Sequence, residues 1–111
     1  MSYSGFTETI YKARDAVEHP EKFTTSALAQ YVEALDSGNL VLWGFVGAIG
    51  QVMFRSNDNR NAWDDGSLFG IGEGLVVVSD LAQGICQTAD SLRDTIGQRL
   101  PQTESIAEGA K

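Results

Sequence analysis

Asn39-Leu40-Val41-Leu42-Trp43-Gly44-Phe45-Val46-Gly47-Ala48-Ile49-Gly50-Gln51-Val52-Met53-Phe54 is apolar on nearly every side, and its reading decides the fold. A helix that is hydrophobic all round is at home in the centre of a protein or in a membrane. The run from Leu40 to Phe54 is fifteen residues long, short of the roughly 20 apolar residues of a spanning helix, so it reads as buried core and no membrane contact is expected. Glycines at 44, 47 and 50 cost a helix interior about 1 kcal/mol each relative to alanine, so a helix here needs close tertiary contact in return. The alternative is an α+β fold with a short hairpin at 40–54, strands over 40–46 and 51–54 turning at Gly47. Periodicity does not arbitrate a continuous apolar run, and the helical patterns on either side favour helix.

Upstream, Phe6, Ile10, Ala13 and Val17 recur at spacings of four, three and four, one face of a first helix. Ser4 suits its N-cap, and Pro20 ends it by pushing His19 away from helical ψ. Thr24-Thr25-Ser26 opens a second helix, with Leu28, Tyr31, Val32 and Leu35 on one face and Gly38 as its stop. Downstream, residues 55–67 form an Asn- and Asp-rich loop. From about Gly74 to Leu100, Val78, Ala82, Ile85, Ala89, Leu92 and Ile96 alternate four and three apart, the seam of a long helix packing on helix. Pro101 stops that helix.

These elements predict an all-α fold, a small helical bundle of about four helices with a long C-terminal helix. Segment 40–54 packs antiparallel on the helix 74–100, and two amphipathic N-terminal helices cover the pair. The chain has 111 residues, which suits one hydrophobic core, so residues 1–100 form a single helical domain and 101–111 a disordered polar tail. A lone cysteine, Cys86, forms no internal disulfide, and the N-terminus shows no basic stretch followed by an apolar run, so a cytoplasmic location is expected.

The chemistry-bearing patterns fail on spacing. Gly70-Ile71-Gly72-Glu73-Gly74 has the glycine content of a phosphate-cradling loop, but Leu75 stands where a dinucleotide fingerprint needs its third glycine, and the Gly-Lys-Ser/Thr of a P-loop is missing. It reads as a flexible lead into the last helix. Asn57, Asn59 and Asn61 alternate like early calcium ligands, yet Ala62 replaces the required Gly and Leu68 the required Glu. His19 is the single histidine, so a histidine metal cluster cannot be built within one chain, and Cys86 reads as a half-buried structural thiol. No catalytic residue, metal or cofactor is therefore assigned, and the chain is read as a non-enzyme.

Eight Lys and Arg against fifteen Asp and Glu give a net charge of −7, which argues against direct contact with nucleic acid. The resulting expectation is a protein-interaction module, an acidic inhibitor or adaptor that docks on a basic, nucleic-acid-binding partner. Small acidic proteins of phages and mobile elements supply the analogy. Trp63, Asp64, Asp65, Phe69 and Glu73 form the expected partner surface, aromatic and acidic residues beside the polar loop. The alternative is a structural protein that self-associates into a homo-oligomer through its long helical seam. A small-ligand protein or enzyme comes third, for want of a titratable pair.

Overall fold

The computed structural model describes the backbone of residues 5–58 and 63–109 and the side chains of 5–58 and 63–99. It is all-α: helix α1 (Phe6–Glu18), a 3-10 turn (Pro20–Lys22), helix α2 (Thr25–Arg55) and helix α3 (Asp65–Gly109). No strand occurs among the described residues, so the hairpin alternative at 40–54 is excluded. The molecule measures 70 × 30 × 22 Å with a radius of gyration of 19.7 Å. A compact chain of this length would have about 13 Å, and the excess comes from two long antiparallel helices of which only one end is covered.

Three α-helices replace the expected four because the second and third predicted segments are one helix. Thr24 caps its start, the hydroxyl accepting from the Ala27 N–H at 3.1 Å. Gly38, the expected stop, lies within it and is buried under Phe6. A Cβ at position 38 would collide with the Phe6 ring, so glycine here admits the aromatic side chain that docks α1.

The second departure is the start of α3, nine residues ahead of Gly74. Asp64 accepts the Ser67 backbone N–H at 2.6 Å, which caps the helix, and Gly70 to Gly74 are helical rather than a lead-in. The third is its end. The helix passes Pro101 and reaches Gly109, so it does not stop at Leu100; the ring removes one hydrogen bond from a ladder of 45 residues. The start expected of α1 falls partly outside the described residues, as Ser4 does; Gly5 takes the cap position with φ 83°.

The core sits at one end. Ala13 and Ala16 of α1, Leu28 and Leu35 of α2, and Ile85, Ala89 and Leu92 of α3 are buried together, with Phe6, Ile10, Tyr31 and Ile96 packed against them. The predicted seams of α2 and α3 are thus the real ones. On α1 the burial shifts from Val17 to Ala16, because α1 lies against two helices and the smaller side chain sits beneath it. Phe23 meets Tyr31 edge to face at 5.8 Å. Arg99 ties this end together: its guanidinium donates to the carbonyls of Pro20 at 2.7 Å and Phe23 at 3.1 Å and to the Thr25 hydroxyl at 3.0 Å.

Candidate functional site

Beyond Gly38 the hairpin of α2 and α3 continues without α1. Its seam goes on unchanged: Leu42, Val46, Ile49 and Met53 on α2, and Ile71, Leu75 and Val78 on α3, are half-buried. Phe45 and Ile49 share an apolar groove of about 530 Å³ with Ile71, Leu75 and Val78, which puts residues 45–49 level with 71–78. The segment 40–54 therefore packs on the first turns of α3, and the expected pairing with residues 74–100 is shifted toward the loop.

Every other face is bare. On α2 the exposed large side chains are Leu40, Val41, Trp43, Phe45, Val52 and Phe54; on α3 they are Leu68, Phe69, Val76, Val77 and Leu81. At about 100° per residue these positions encircle both helices and form no single stripe. Leu40 is 73%, Phe54 83% and Val76 70% exposed. This overturns the reading of 40–54 as buried core. The two N-terminal helices expected to cover it do not: α1 reaches only the other end, and the second is the first half of α2 itself.

Charge follows the same division. Between Asp36 and Arg55 lie eighteen uncharged residues of α2, about 27 Å of helix; between Asp65 and Asp80 lie fourteen residues of α3, about 21 Å, with Glu73 their single charge. Arg55, Asp58, Asp64 and Asp65 lie at the tip, and among the described residues every other charge except Glu73 lies toward the covered end. There Arg93 bridges Asp36 and Asp90, and the two carboxylates raise its pKa further above the ordinary arginine value. Both α2 and α3 are long and apolar enough to cross a membrane, and only 6% and 11% of their apolar stretches are buried within the molecule.

The residues expected to form a partner surface are spread along the hairpin. Asp64 and Asp65 open α3 at the tip. Asp64 is taken up as the helix cap, and its pKa is lowered chiefly by the Ser67 backbone N–H, then by the Ser67 hydroxyl. Trp63 is half-buried at the mouth of the apolar groove, and its indole N–H has no partner among the described residues. Phe69 projects outward one turn on. Glu73 lies two turns beyond Asp65, exposed and facing away from α2, so Asp64, Asp65 and Glu73 make no common cluster.

Cys86 is exposed, not half-buried, with its thiol 3.8 Å from an Asp90 carboxylate oxygen. His19 ends α1, with its ring 3.8 Å from Glu21. No group of three metal-binding side chains occurs among the described residues; Asn59 and Asn61 of the alternating asparagines lie outside them. The bare apolar limb is the feature that sequence reasoning missed, although its signal, eighteen consecutive uncharged residues, was present once Gly38 ceased to be a boundary. Comparison with protein-family models, curated proteins and solved structures yields no match.

Proposed function

We propose that the chain is a non-enzymatic membrane module: the hairpin of residues 37–79 inserts into a bilayer and holds the three-helix end as an acidic head at its surface. The supporting observation is that large apolar side chains encircle both helices between polar ends. A soluble partner or a second copy covers one stripe, whereas lipid covers all sides at once. The eighteen-residue stretch of α2 approaches the roughly 30 Å hydrocarbon thickness. This replaces the expectation of no membrane contact, which rested on fifteen residues counted in isolation.

The fourteen-residue stretch of α3 is shorter than that thickness, so a thinner bilayer suits the hairpin better. Flotation with phosphatidylcholine vesicles tests the reading. The full chain floats, short-chain lipid retains more of it than long-chain lipid, and lipid-attached quenchers reach Trp43. A chain that stays at the bottom of the gradient as a monomer refutes insertion.

The acidic-adaptor reading is kept in this proposal as the task of the head. Residues 1–36 and 80–111 carry eleven carboxylates against six Lys and Arg, so negative charge is concentrated outside the apolar limb. Such a head repels anionic lipid and attracts a basic protein. Vesicle-bound chain should capture a basic protein at low salt and release it as salt screens the contact.

A further inference from the structure

Within the apolar limb, the faces of α2 and α3 that point away from the seam differ from the rest. On α2 this face runs Leu40, Gly44, Gly47, Gln51, and on α3 it runs Gly66, Gly70, Glu73, Val77, each with spacings of four and three. A Cβ at Gly44, Gly47 or Gly70 would meet nothing within 4 Å, so packing within the chain does not account for these glycines. The same faces hold Gln51 and Glu73, and the two are complementary. Arg55 donates to Gln51 Oε1 at 3.4 Å, which occupies the amide carbonyl and leaves its NH2 as a donor. Glu73, exposed on this face, offers an acceptor and has no ion pair or hydrogen bond among the described residues.

We infer that hairpins assemble side by side in the bilayer, the outward face of α3 in one copy seated on the outward face of α2 in the next, with Glu73 accepting from Gln51. The inference rests on membrane insertion as proposed above. Copies inserted the same way up set α3 antiparallel to the neighbouring α2 at matching depth. The groove shared by residues 45–49 and 71–78 then puts Glu73 beside Gly47 of the neighbour and about one turn from its Gln51. The glycines admit close approach of the two backbones, and the carboxylate, which lipid cannot satisfy, gains a donor. Because two different faces meet, the contact is heterologous and builds a ring or an open row of copies.

Cys86, the single and exposed thiol, carries the label for the test. Full-length chains labelled with donor or acceptor dyes are mixed in phosphatidylcholine vesicles, and energy transfer is read against lipid dilution, with flotation and helical circular dichroism on the same samples. Transfer should persist at dilutions where random proximity gives none. Gly47→Leu and Gly70→Leu should each weaken association about tenfold or more with flotation intact, as should Glu73→Leu, while Glu73→Gln, still an acceptor, should retain it. A floating wild-type chain without transfer, or association indifferent to Gly47→Leu, Gly70→Leu and Glu73→Leu, overturns the assembly and leaves insertion standing. A wild-type chain that does not float overturns both.

Discussion

The two halves of the α2–α3 hairpin share one seam and differ in everything around it. At the covered end, α1 fills the third side and Leu28, Leu35 and Leu92 are fully buried. Along the limb, Leu42, Ile49 and Leu75 occupy equivalent seam positions and stay half-buried, because two helices enclose only one line of contact. A repeat of four and three therefore states which face meets the partner helix. It does not state whether the other faces are covered, and here that second question separates a core from a bare apolar limb.

The comparison is broken most severely at Leu92. Leu92→Ala removes a fully buried side chain beneath three helices and should cost about 2–5 kcal/mol in urea unfolding followed by helical circular dichroism in mild detergent. Val76→Ala, equally apolar but 70% exposed, should change that stability by less than about 0.5 kcal/mol and instead reduce vesicle binding. Equal losses at both positions would mean that the limb is packed like the core.

Glycine sharpens the contrast at a smaller scale. Gly38→Leu drives a side chain into the Phe6 ring and should cost about 1–3 kcal/mol, with α1 released first as protease susceptibility between residues 18 and 25. Gly72→Ala meets open space and should stabilise the helix by up to about 1 kcal/mol. If both substitutions destabilise alike, the limb has neighbours that the hairpin itself does not provide.

How far the fold was legible follows from these same residues. The seams of α2 and α3 came through because burial selects side chains at a fixed period. Helix boundaries did not, because Gly38 carries two meanings: a frequent helix stop, and the space in which Phe6 docks, which is unreadable without knowing that α1 returns there. In sequence Asp64 suits a partner-facing surface charge and a helix N-cap equally well, and only the fold shows it accepting the Ser67 N–H. Bare apolar faces were the hardest to read, since burial inside a protein and immersion in lipid select the same residues.

The smallest expected effect lies where the two readings of Asp64 part. Ser67 and Gly66 donate to its carboxylate in the folded chain and lower its pKa below the ordinary 3.8, against a weaker opposing desolvation. A group with a depressed folded pKa stabilises the fold fully above its unfolded value and loses that contribution as pH falls through the folded value. The start of α3 should therefore loosen only below about pH 3.8, read as a change in Trp63 fluorescence relative to Trp43. Asp64→Asn keeps a capping oxygen and removes the titration, so the variant should show no such loosening in acid. A variant that loosens in acid just as the wild type does would show that the titration of Asp64 does not govern the start of α3.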